Sequence, residues 1–225
     1  MLRIPLGKTQ SLHQLFQDYP KEVPPLRLVL DTCLLRLDDI TIPHLKYLTS
    51  LSLTNIQDRS DTGPTYSDGV NLDSEEIKAE QRRWGSSLQE IWSALINADI
   101  YLEEITVDVV VLALIDYLAS YSGLRTLSLI GGGSYQEDCH YLAAQFYAKS
   151  LVNHVQSLRK LDLRALYEDL WCVGQYNLSL ISQCLNLKLL SVSIISSQVN
   201  VDPIVGSSSS SAGLDVIVSV TIFNR

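Results

Sequence analysis

A few clusters in this 225-residue chain carry residue types that could do chemistry. Gly7-Lys8-Thr9 has the end of a phosphate-binding loop, in which backbone N–H groups surround phosphates and a lysine reaches them. The earlier glycine of that motif would fall at position 2, which is Leu2, so a nucleotide site is not expected. Gly131-Gly132-Gly133 lies between an expected strand and an expected helix, but no Lys-Ser/Thr pair follows and the spacing does not fit a dinucleotide fingerprint. A wide turn is the plainer reading. Cys139-His140 offers a nucleophile and a base, yet neighbours on a helix diverge and cannot face each other. The four histidines are too scattered for a metal set or a triad. Asn177-Leu178-Ser179 matches a glycosylation acceptor, which matters only outside the cell. No catalytic residue, cofactor site or metal site is expected, and the chain reads as a non-enzyme.

The elements that must position any site follow from a phrase that returns along the chain: leucine, two residues, leucine, one residue, leucine, or apolar equivalents. Its copies are Pro25/Leu28/Leu30, Leu48/Leu51/Leu53, Leu102/Ile105/Val107, Leu124/Leu127/Leu129, Leu158/Leu161/Leu163 and Leu187/Leu190/Val192. The copies start at 25, 48, 102, 124, 158 and 187, and so lie 23, 54, 22, 34 and 29 residues apart. Leucine-rich units run about 20 to 29 residues, so only the second interval is long. It holds residues 57–73, where Gly63, Pro64, Gly69 and several Asp and Ser give turn chemistry without an apolar period. This stretch is expected to be an acidic loop insertion. Ser74 with Glu75 and Glu76 then has the composition of a helix start and predicts a helix to about Arg83. After Gly85, Ser86 or Ser87 can cap a second helix that sets Leu88, Ile91, Trp92, Leu95 and Ile96 on one face. The alternation continues with helices over about 109–121, 135–154 and 176–184, and strands over 124–130, 158–164 and 187–194. Gly123 stands at a helix-to-strand turn that favours a left-handed residue.

The expected fold is therefore α/β: a leucine-rich-repeat solenoid, or horseshoe, with a parallel sheet on the concave face and helices on the convex face. It would span residues 1–205. Residues 206–225 follow as a Ser/Gly linker and an irregular tail, in which Leu214 to Phe223 is apolar enough to form a last strand although its rhythm does not match the repeat. Neither end has a good polar cap, which leaves a truncated or degenerate repeat fragment as an alternative reading. The position after each strand, usually Asn or Cys in such repeats, holds Cys33, Ile56, Val110, Gly132, Leu166 and Ile195, so a side-chain ladder there is not expected.

The stretch Leu118-Ala-Ser-Tyr-Ser-Gly-Leu-Arg-Thr-Leu-Ser-Leu129, with Gly174-Gln-Tyr-Asn177 and the helix before Leu158, resembles the irregular leucine-rich-repeat proteins of mushroom-type fungi, many of them F-box-like. The resemblance covers about residues 25–200. It implies substrate presentation to a ubiquitin ligase, although the F-box helices themselves are not found in this sequence.

Side chains alternate along a strand, so the residues between and beside the leucines face the open surface. This selects Arg27, Asp31, Ser50, Ser52, Thr54, Glu104, Thr106, Asp108, Thr126, Ser128, Lys160, Asp162, Arg164, Ser191 and Ser193 as a protein-binding face. Its centre is hydroxylated, with an acidic cluster at Glu104/Asp108 and a basic one at Lys160/Arg164; the plain alternative is a solvated sheet with no ligand. Trp84, Trp92 and Trp171 read as packing residues; Trp84, beside the loop and next to Arg82 and Arg83, is the one to test as an exposed anchor.

Composition bounds the rest. At 46% hydrophobic the chain can build a sizeable core. The net charge of −8 argues against nucleic acid as partner. The run from Val109 to Ile115 is far too short to span a bilayer, and the N-terminal residues lack a secretory pattern. Cys33, Cys139, Cys172 and Cys184 form no C-x-x-C pair and are expected to be reduced and mostly buried. An intracellular protein, as a monomer or within a larger complex, is the expectation.

Overall fold

The computed structural model describes residues 2–4, 27–30, 41–54, 88–130, 139–165, 169–194 and 217–222. They form an α/β arrangement around one parallel sheet of eight strands, ordered β1 to β8 as in the sequence. The strands are β1 Leu2–Ile4, β2 Arg27–Leu30, β3 Ser50–Leu53, β4 Glu104–Val107, β5 Thr126–Ile130, β6 Lys160–Arg164, β7 Leu189–Ile194 and β8 Ile217–Ile222. Pairing has no offset between copies of the phrase: Leu28, Leu51, Ile105, Leu127, Leu161 and Leu190 sit side by side from strand to strand. A slip of one residue would turn every leucine to the other face, so the apolar pattern itself fixes the register.

The entries to β4, β5, β6 and β7 repeat one hydrogen-bond device. Thr49 C=O accepts both Glu103 N–H and Glu104 N–H, at 2.8 and 3.0 Å. Glu103 C=O takes Arg125 and Thr126 N–H at 2.8 and 3.0 Å, Arg125 C=O takes Arg159 and Lys160 at 2.8 and 3.0 Å, and Arg159 C=O takes Lys188 and Leu189 at 2.7 and 3.1 Å. Each acceptor directly follows the first leucine of its phrase. Unequal connections, including the long one between β3 and β4, therefore end in the same local geometry.

Among the described residues, four α-helices join these strands: α1 Leu88–Asn97, α2 Leu112–Ala119, α3 Cys139–Gln145 and α4 Gln175–Ile181. α1 buries Leu88, Ile91, Trp92 and Leu95, the face its spacing predicts. Its end is closed by Asp99 at φ 53°, a left-handed conformation that Asp tolerates better than most residues. Gly123, at φ 113°, makes the expected turn after α2. The leucines of β3 to β6 and the inner helix faces make one hydrophobic cluster, with Trp92 and Trp171 within it. Each fully buried Leu or Ile contributes about 1.5–3 kcal/mol, so the shared interior dominates stability.

Within the region 206–225, read as a linker and an irregular tail with room for a last strand at 214–223, β8 continues the sheet beside β7. Two features differ from expectation. β1 is an unanticipated strand. In β8 the first apolar place of the phrase is occupied by Asp215, so the six-residue pattern is incomplete although Val218 falls beside Leu190. The single helix expected over 135–154 is α3 followed by a wide turn, Phe146–Ser150, and a 3-10 turn, Leu151–His154. Widening brings the consecutive residues Phe146 and Tyr147 both inward against Trp171, with ring centroids 5.4 and 6.5 Å away. Among the described residues, no helix is long and apolar enough to cross a membrane.

Candidate functional site

The face away from the leucines carries three rows of side chains across the sheet. The first holds Arg27, Ser50, Glu104, Thr126, Lys160 and Leu189; the second holds Val29, Ser52, Thr106, Ser128, Asp162 and Ser191. At the far end Ile130 lies beside Arg164, and Ser193 beside Thr221. The register thus gathers nearly all of the expected residues on one face, with Thr54 and Asp108 just past β3 and β4. Asp31 lies outside the described residues, as do Cys33, Trp84, Gly7-Lys8-Thr9, Gly131-Gly132-Gly133, the insertion at 57–73 and the helix expected after Ser74. Val29, Ile130 and Leu189 also belong to this face; alternation alone would have found them, but a search for polar residues passed over them.

The centre is more closed than a row of free hydroxyls. Asp162 is 2% exposed, and Ser128 and Ser193 are also buried. Arg164 holds the Asp162 carboxylate in two places, Nε to Oδ1 at 2.9 Å and Nη2 to Oδ2 at 2.8 Å, while Ser128 Oγ donates to Oδ2 at 3.1 Å. Burial alone would raise the carboxyl pKa, but the hydrogen bonds and charge of Arg164, helped by the Ser128 and Ser191 hydroxyls, hold it below the ordinary carboxylate value. Arg164 is pushed up in turn by the same pairing. The expected basic pair Lys160/Arg164 is therefore corrected: Lys160 remains an unpaired cation among the described residues, whereas Arg164 anchors a buried acid. Asp162 presents nothing to a partner.

The acidic side is partly compensated as well. Glu104 meets Arg27 at 3.9 Å, and Glu103, in the turn before β4, meets Arg125 at 3.0 Å. All four side chains are about half exposed, so these pairs contribute little to stability and leave the groups open to exchange for a partner's charges. The accessible part of the face is then Ser52, Thr106, Thr126, Lys160 and the Arg27–Glu104 pair, with a shallow apolar component at Leu189.

The other chemical candidates find structural employment. Cys139 Sγ donates to Asp169 Oδ2 at 2.9 Å, and burial with that neighbour pushes its thiol up to about 12, while His140 is exposed. A thiol so hard to ionise is no nucleophile. Cys172 and Cys184 are buried and form no disulfide. Asn177 of the sequon is buried: its Oδ1 accepts Gly174 N–H at 3.0 Å and its Nδ2 donates to Cys172 C=O at 3.1 Å, so its amide closes the start of α4 and is not offered to a glycosylating enzyme. Among the described residues, no group of His, Cys, Asp and Glu is arranged to hold a metal.

No family model matches the chain, and neither a curated protein nor a solved structure matches it.

Proposed function

We infer that the chain is a leucine-rich-repeat solenoid, a horseshoe with its sheet concave and its helices convex, working as a non-enzymatic scaffold that binds a protein partner on the sheet. The observation that carries this reading is the repeated carbonyl bridge from Thr49, Glu103, Arg125 and Arg159, joined to a register without offset. Identical local geometry at four steps, despite connections of unequal length, is the mark of units stacked on nearest neighbours. A parallel sheet is normally covered on both faces. Here the described helices serve the leucine face, and the opposite one keeps half-exposed Ser52, Thr106, Thr126 and Lys160. Such a surface suits recognition by polar contacts around a small apolar centre. The F-box-like resemblance points to a specific role, the substrate-recognition part of a ubiquitin-ligase adaptor, intracellular and within a larger complex.

A photocrosslinking residue placed at Thr106 tests the scaffold reading. It is expected to give discrete protein adducts in cell extract, while the same residue at exposed Leu178 on α4 does not. Adducts from Leu178 alone would move the binding surface to the helices and end this reading. The combined variant Thr106→Arg and Thr126→Arg should abolish the adducts of a crosslinker at Ser52 without lowering the melting temperature. Arg164 is unsuitable for such a test, because its loss strands Asp162.

A further inference from the structure

The residue after the first leucine of each phrase is Thr49, Glu103, Arg125, Arg159 and Lys188 in successive units. The bridges described above place these residues on neighbouring strands at the rim where β3 to β7 begin, at steps of roughly 4.8 Å. Charge changes sign along this rim. Glu103 is joined to Arg125 at 3.0 Å, but Arg159 and Lys188 beyond them are exposed and have no ion pair among the described residues. Lys160, which opens β6 next to Arg159, adds a third, half-buried cation with no ion pair among the described residues.

Like charges side by side on adjacent strands are destabilising. Their concentration is not compositional either, since the whole chain carries a net charge of −8. The bridging device does not require a cation, because Thr49 occupies the same place with a neutral side chain. The cost is recovered if something anionic lies across the rim. A phosphate backbone is the poorer fit: three cations within roughly 10 Å neutralise few phosphates, and Glu103 and Glu104, two units back beyond Arg125, would repel the continuing strand. A short run of Asp or Glu has the matching size and charge.

We propose that the rim of β6 and β7, with Arg159, Lys160 and Lys188 as its contacts, docks an acidic peptide segment of a protein partner. This rests on the scaffold reading and names the chemistry of what is bound. Electrostatic complementarity of this kind acts on association rate and specificity and weakens with salt.

The test is fluorescence anisotropy of a labelled Glu-rich peptide, with a Lys-rich peptide and a single-stranded oligonucleotide as comparison probes. Wild type should bind the Glu-rich peptide at low salt and release it as salt rises. Arg159→Glu with Lys188→Glu should weaken it by at least about tenfold, Arg159→Gln with Lys188→Gln by less, and both variants should keep the wild-type melting temperature because the sites are exposed. Absence of peptide binding, indifference to the charge reversals, or tighter binding of the oligonucleotide overturns the proposal. Crosslinking from Thr106, read in the same variants, separates the two readings: adducts that persist when no peptide binds leave the scaffold standing without its acidic ligand.

Discussion

Tyr117 is completely buried, and both hydrogen-bonding capacities of its hydroxyl are used. It accepts Leu102 N–H at 2.9 Å and donates to Ile100 C=O at 2.8 Å, while Tyr121 Oη donates to Leu102 C=O at 2.8 Å. One unit further on, Leu124 N–H donates to His154 Nδ1 at 3.3 Å, His154 Nε2 donates to Leu118 C=O at 2.9 Å, and Ser157 Oγ donates to Leu124 C=O at 2.8 Å. The first leucine of two successive phrases thus has both of its backbone groups held by side chains of the following unit. Tyr117→Phe leaves the N–H of Leu102 and the C=O of Ile100 buried without that partner, at a cost of about 1–3 kcal/mol. Tyr121→Phe, half-buried and losing one bond, should cost less; urea unfolding midpoints with an unchanged slope decide the comparison. His154 contributes pH dependence, because burial lowers its pKa below the ordinary 6.5 and only the neutral ring can accept from Leu124. The native state therefore binds fewer protons there than the unfolded chain, and this stability is fully present above pH 6.5 and lost as the pH falls below it. His154→Gln should lower stability at pH 7.5 and flatten the change between pH 7.5 and 5.5, which thermal melts at the two pH values would reveal.

At the level of elements, the Asp162 carboxylate ties three strands together through Ser128 on β5, Arg164 on β6 and Ser191 on β7. Replacing Arg164 with Met removes the countercharge but leaves the acid buried, a change in the class that costs about 3–5 kcal/mol for a fully enclosed pair and less here because Arg164 is 55% exposed. Asp162→Asn should be milder, since the amide still accepts from Ser128. With its pKa held below 3.8, wild-type Asp162 stabilises the fold above that value, and the contribution disappears as pH drops through the depressed folded value. In Arg164→Met burial acts without that opposition, so the deficit relative to wild type should shrink as pH approaches 4; an equal deficit at pH 7 and 4 would show that the pair's charge is irrelevant. Strands β2 to β7 and their register were legible in the sequence because each leucine phrase is complete. β8 was only partly legible because Asp215 occupies the first apolar place of its phrase, and the broken helix after Gln145 was hidden because apolar spacing does not report how wide a turn will be. The placement of the open face followed from alternation, yet the pairing of Asp162 with Arg164 did not. Two opposite charges two residues apart on one strand face are the signal in the sequence for that pairing.

For the whole molecule, the proposed solenoid implies that a defect spreads along the sheet by neighbours and not by distance in sequence. Leu127 on β5 is buried, with Ile105 on one side and Leu161 on the other, although they lie 22 and 34 residues away in the chain. Leu127→Ala opens a cavity at the shared interior and should cost about 2–5 kcal/mol. The carbonyl bridges at Glu103 and Arg125 connect the same three units, so backbone amides of β4 and β6 depend on β5 as much as on their own helices. Native-state hydrogen exchange on this variant should show protection falling most in β4, β5 and β6, less in β3 and β7, because opening free energies in a stacked chain are sums of local and nearest-neighbour contributions. A single all-or-none unit predicts a different pattern, an equal loss in every strand that exchanges by global opening. Equal loss in β3 and β6 would therefore overturn the stacked description, even if the sheet order and register remained as described.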